Sequence, residues 1–200
     1  MPTGNDDRAQ EVSRTFPITR GGLRLMDRSE DGLGRRFSRL FAAAWRRIPL
    51  GARRGLLAHW RTNDPNVTRV ATSPLIELTS LPIRREVGRR RRDDFFLAKV
   101  SAAGHRMRFW SIAVGLMPDG MVEVLVAHEL AHIHVHALGK SDPAYATKTA
   151  VENAGGEEAE VAKLMLDWGG FDDDRLTRWL LSPDPRAREL KRRFRAANRA

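Results

Sequence analysis

Apolar residues recur at three- and four-residue spacing between Arg35 and Arg61. Phe37, Leu40, Phe41, Ala44 and Trp45 share one face, and Leu56, Leu57 and Trp60 share another. That period predicts two amphipathic helices. Ile48-Pro49-Leu50-Gly51 separates them, because proline disfavours a helical residue before it, so a helical hairpin is expected over 35–62. Residues 1–34 are polar, contain glycine and hold no period, and a flexible basic arm is expected there. Beyond the hairpin, 63–75 reads as loop. Leu75-Ile76-Glu77-Leu78, the stretch from Phe95 to Val100 and the stretch from Met107 to Val114 are β-prone, predicting a small sheet of about three strands.

The next apolar run, Met121 to Leu138, is valine-rich at first but long enough for a helix. Asp119 is placed to cap it, and Gly139-Lys140 to end it. Downstream, Val161, Leu164, Met165 and Trp168 fall on one helical face of an acidic segment starting at Glu157. The expected fold is α+β. A small, mostly antiparallel sheet packs on the 121–138 helix and the acidic helix, with the hairpin N-terminal to them. One domain over 35–181 is expected between the basic arm and a basic C-terminal tail, 182–200.

Two hundred residues are ample for one core. No run of about 18 apolar residues predicts a membrane span, and no basic start followed by an apolar stretch predicts a signal peptide. A cytoplasmic protein is the expectation. Cysteine is absent, which excludes disulfides, thiol catalysis and cysteine-ligated metal. The net charge is +10, unevenly spread: residues 1–62 carry +7, 63–104 carry +3 and 105–200 balance. Within that last stretch, 150–174 holds eight acids against Lys163, and 182–200 holds seven bases against two acids. Basic ends point to nucleic acid as a partner through counterion release. The plainer reading is a GC-rich codon pool, since arginine outnumbers lysine 30 to 5.

One motif carries chemistry: His128-Glu129-Leu130-Ala131-His132, an H-E-x-x-H pattern inside the predicted helix. Residues at i and i+4 share a face with Cβ atoms about 5–6 Å apart, so both imidazoles can reach one ion at about 2.0–2.1 Å. Glu129 is rotated about 100° away, badly placed as a ligand but close enough to take a proton from an activated water. His136 is about 12 Å along the axis from His128 and cannot share that ion. His134 points away from the pair and reads as a surface or supporting residue. His59 and His105 are isolated and read as structural or surface residues.

With no histidine after 136, a third ligand has to be a carboxylate. Glu158 precedes Val161, Ala162 and Met165 by three, four and seven residues, which puts it on the inward face of the acidic helix. Glu157 borders that face, and Glu160 turns more toward solvent. The lone tyrosine, Tyr145, lies in the loop between the two helices, where it could donate to an oxyanion or simply cover the edge of the core.

His128-Glu129-Leu130-Ala131-His132, followed some 25 residues later by a glutamate helix ending at Trp168-Gly169-Gly170-Phe171, resembles the gluzincin metallopeptidases. Among these it is most similar to the small minigluzincin and ImmA/IrrE-like proteins of bacteria and phages. The resemblance covers roughly residues 93–171. It implies Zn2+ held by His128, His132 and Glu158, with Glu129 as general base. It also implies a polypeptide substrate that pairs with the strand before the motif helix, by position Met107–Val114. The family's glutamate is followed four residues on by Asp or Asn, which supports a ligating histidine. Here that position is Ala162, a departure that touches the support of the site.

Two functions follow. The first is a zinc-dependent metallopeptidase. The alternative is a nucleic-acid-binding or regulatory protein on a peptidase-like zinc scaffold with little or no turnover, suggested by the basic ends, the run Arg89 to Arg92 and Ala162.

Overall fold

The computed structural model describes residues 13–19, 22–62, 74–81, 83–84, 95–100, 106–141 and 154–199. Among these residues, seven helices and a five-stranded sheet make an α+β fold. The strands are β1 (Arg14–Pro17), β2 (Arg24–Arg28), β3 (Leu75–Thr79), β4 (Ile83–Arg84), β5 (Phe95–Phe96), β6 (Ala98–Val100) and β7 (Arg106–Trp110). The main sheet has the order β1-β2-β3-β7-β6, while β4 and β5 pair separately.

The sheet is mixed rather than mostly antiparallel. β1 with β2 and β6 with β7 are antiparallel, whereas β2 with β3 and β3 with β7 run parallel. Parallel neighbours need a crossover, and between β2 and β3 that crossover is the helical hairpin, α1 (Gly34–Arg47) and α2 (Leu50–Thr62). The hairpin is therefore not an accessory: Phe37, Phe41 and Ala44 are fully buried. The rings of Phe37 and Phe109 on β7 lie 4.7 Å apart, and Trp45 stacks on Trp60 at 5.9 Å.

Three further expectations are corrected. The polar stretch read as a flexible arm contains β1 and β2, because Leu23, just before β2, and Leu25 and Asp27 within it alternate inward. The strand expected over Met107–Val114 ends at Trp110, and Ser111–Leu116 forms α3. The residues read as a basic tail form α7 (Pro185–Arg199), which buries Ala187 and Leu190. Its start is encoded locally. Asp184 accepts from the Arg186 N–H at 2.8 Å, and Pro185 occupies the first helical position.

Inward charges are matched. The Asp27 carboxylate takes the Gly34 N–H at 3.0 Å and the Ser29 N–H at 2.9 Å, closing the start of α1, whose flanking Leu33 offers no side-chain cap. Glu77 on β3 sits between Arg106 at 2.6 Å and Arg28 at 3.5 Å.

The central element is α4 (Asp119–Ser141). Val122, Val126, Ala127, Leu130, Ala131 and Ile133 are all fully buried around its circumference, so it is a core helix with little amphipathic contrast. It packs on α1, α2, α5 (Ala154–Asp167) and α6 (Asp173–Leu181), and meets the sheet along β6. Asp119 is its first residue rather than its cap. The Pro118 carbonyl accepts from Met121 and Val122, and the Asp119 carboxylate binds Arg36 at 2.7 Å and Arg39 at 3.2 Å. Arg36 also donates to the carbonyls of Val114 and Met117, tying α1 to the join between α3 and α4. The helix continues through Gly139 and Lys140 to Ser141. No helix among the described residues is long and apolar enough to cross a membrane.

After α5 the chain reverses at Gly169 (φ 123°) and Gly170 (φ 71°), conformations that glycine adopts without cost from a side chain. Arg47 holds this turn: its guanidinium lies 3.9 Å from the Phe171 ring centroid and donates to the Gly169 carbonyl at 2.8 Å.

Candidate metal centre

In the middle of α4 the one-turn spacing sets His128 and His132 side by side, with Nε2 atoms 3.0 Å apart. The first turns of α5 bring Glu158 over them. Its Oε2 is 3.7 Å from His128 Nε2, and its Oε1 is 3.6 Å from His132 Nε2. One donor atom from each of the three residues falls within 4.8 Å of the others. Ligands about 2.0–2.1 Å from a tetrahedral ion stand about 3.3–3.4 Å apart. The histidine pair is slightly closer than that, each carboxylate oxygen slightly farther from the histidine it faces, and two imidazoles with one carboxylate are a donor set suited to zinc.

The histidine side chains are 18% and 17% exposed, whereas Glu158 is 57% exposed. Glu158 thus faces the pair from the rim of the site and not from a buried interface as its helical phase predicts. Glu160, expected to turn toward solvent, is half-buried and does not join the cluster. The Glu157 and His136 side chains, Tyr145, His105 and the run Arg89 to Arg92 lie outside the described residues.

Glu129 is 7% exposed. Burial pushes its carboxyl up to about 7, with the Glu158 charge adding to the rise; His128 and a hydrogen bond from the Val100 N–H oppose it. Val100 closes β6, the end strand of the sheet, so the motif helix meets the sheet at the proposed base. Among the described residues this moves the outer edge. β7, the strand expected to flank the site, is paired on both sides, by β3 and β6, and β6 has the outer position.

The structure adds a residue that sequence reasoning missed. Asp173, the first residue of α6, puts Oδ1 3.3 Å from Nδ1 of His128, although the pair lacks the alignment of a full hydrogen bond. The interaction with His128 holds the Asp173 carboxyl below its ordinary range. Burial alone would lower the His128 pKa, but Asp173 and the charges of Glu129 and Glu158 outweigh it and raise it. Asp172, not Asp173, caps α6 by accepting from the Arg175 N–H at 3.3 Å. Asp173 is thereby left to face α4. A carboxylate on Nδ1 fixes the tautomer that turns the Nε2 lone pair toward the other two ligands. Ala162, where the resemblance expects that support, cannot provide it.

His134 is not part of the cluster. Its ring packs edge-on against Trp168 at 5.4 Å, and burial lowers its pKa. His59 is buried in the core. Comparison with protein-family models, with curated proteins and with solved structures gives no match.

Proposed function

We propose that the chain is a zinc-dependent metallopeptidase, with His128, His132 and Glu158 as metal ligands and Glu129 as general base. The observation that carries this reading is the convergence of three donor atoms on one point beside a buried carboxyl. A bound zinc ion supplies Lewis acidity and lowers the pKa of its water toward about 7. Glu129 takes the proton of the attacking water on a carboxylate oxygen and returns it to the departing amine. Asp173, 3.3 Å from Nδ1 of His128, would favour the ligating tautomer once the pair aligns. The outer edge of β6 offers backbone groups to an extended polypeptide, which would lie alongside Glu129 by strand addition.

Elemental analysis of the purified chain, together with cleavage of a mixed peptide library, tests the reading. The expected result is about one zinc per chain, lost in His132→Ala, and cleavage lost in Glu129→Gln with zinc retained. A chain that neither contains nor takes up a divalent metal overturns the proposal. A chain that binds zinc but shows no Glu129-dependent cleavage belongs to the alternative, a regulatory protein on a zinc scaffold.

A further inference from the structure

The C-terminal helix α7 carries cations that the fold does not use. Its inward side is spent on the core: Ala187 and Leu190 are buried, and Phe194 packs partly buried beside them. Its single acid, Glu189, is held by Arg192 at 2.6 Å and Arg193 at 2.8 Å, and Arg186 is paired with Asp184 at 3.1 Å. Arg188, Lys191 and Arg195 have no acidic partner among the described residues. At i, i+3 and i+7 they share one face, and with Arg192 and Ala196 they line a concavity of about 480 Å³ with no acid among its described lining residues.

We infer that this face of α7 is a docking surface for the phosphate backbone of duplex DNA. Seven residues of helix span about 10.5 Å. Phosphates follow one another at about 3.4 Å of axis per strand, so three cations in this row meet about three phosphates on a rigid backbone. Arginine's planar fork suits phosphate oxygens. A lipid surface is disfavoured because the apolar side of α7 is already buried, leaving nothing to enter a bilayer. A single strand is disfavoured because its binding needs exposed aromatic platforms, and the one aromatic residue of α7 turns inward. The wide major groove of B-DNA accepts a helix edge that the deep, narrow groove of RNA does not. The inference is independent of the metal centre.

The test is fluorescence anisotropy of a labelled 20-base-pair DNA with the full chain over a range of salt concentrations. Arg188→Gln/Lys191→Gln/Arg195→Gln should reduce the log–log salt slope by about 2.7, and Arg188→Gln/Arg195→Gln, which alters only exposed side chains, by about 1.8. Arg14→Gln/Arg24→Gln/Arg54→Gln removes the same charge from other exposed positions and should leave the slope nearly unchanged. Equal losses in both triple variants overturn the proposal in favour of a diffuse field. It is equally overturned by no salt-dependent binding of the parent chain, or by α7 variants that affect only binding to a single strand, to duplex RNA or to phosphatidylserine vesicles.

Discussion

Nδ1 of His128 and Oδ1 of Asp173 lie 3.3 Å apart, joining two residues 45 positions apart in the chain, on α4 and at the start of α6. The contact depends on the two-glycine turn after α5, which folds the chain back so that α6 begins beside α4. Arg47 braces that turn from the end of α1. The orientation of one candidate ligand is thus set by the crossover hairpin, by a glycine turn and by a helix start together.

If Asp173 fixes the His128 ring, Asp173→Ala should weaken zinc binding about 10- to 100-fold. Asp173→Asn should lose less, because an amide oxygen can still accept from Nδ1–H. Competition against a chelator of known affinity measures both, with circular dichroism to show that the fold persists. Wild-type affinity in Asp173→Ala would remove the residue from the site.

What could be read along the chain was what is local. The i, i+4 histidines and the choice of Glu158 among its neighbours depend on helical phase within single helices, whereas the exposure of Glu158 at the rim does not follow from it. Asp173 depends on tertiary folding, and nothing in Asp172-Asp173-Asp174 says which acid caps and which reaches α4. The β1–β2 hairpin was hidden because the alternation of Leu23 and Leu25 is short and its next inward residue, Asp27, is charged. Strand direction was illegible for a different reason: only the pairing of β2 and β3 around the hairpin makes the sheet parallel there. The α7 helix did carry a signal, Asp184-Pro185 followed by apolar residues at 187, 190 and 194, but seven basic residues masked it.

Three neighbouring acids on α5 should separate cleanly in metal binding. Glu158→Ala should abolish tight binding, since Glu158 alone of the described acids joins the histidine pair. Glu160→Ala should leave affinity nearly unchanged, and Glu157→Ala should have a small effect. Isothermal titration with zinc reads all three. Loss of binding in Glu160→Ala alone would shift the helical phase of the ligand by two residues.

The buried Glu129 makes metal-free stability depend on pH. Its folded pKa of about 7 exceeds the ordinary 4.5, so between these values the folded state keeps a proton that the unfolded state has released. Stability therefore falls as pH rises through that window, by on the order of 3 kcal/mol. His128, whose pKa is also raised, contributes stability below about 6.5 that is lost as pH rises further, so a variant at 129 is needed to isolate the glutamate. Glu129→Gln should be more stable than the parent at pH 8 and similar to it at pH 4.5. Urea unfolding in the presence of chelator measures the difference, and an equal offset at both pH values would contradict the burial argument.

The start of α1 should be the most sensitive point of the fold outside the core. A Cβ at Gly34 would stand 2.3 Å from the Phe16 ring and 2.4 Å from Asp27 Oδ2. Gly34→Ala therefore has to displace both the Phe16 ring and the carboxylate that receives the helix's first N–H. A cost of about 1–3 kcal/mol is expected from such overpacking. Asp27→Ala should cost a similar ~1–3 kcal/mol by leaving the buried Gly34 N–H without a partner. Because both changes break the same contact, the double variant should cost clearly less than the sum. Urea midpoints with unchanged slope give the three values. Strict additivity would mean that Asp27 and Gly34 do not act through each other, and that the β1–β2 hairpin and α1 are joined by packing alone.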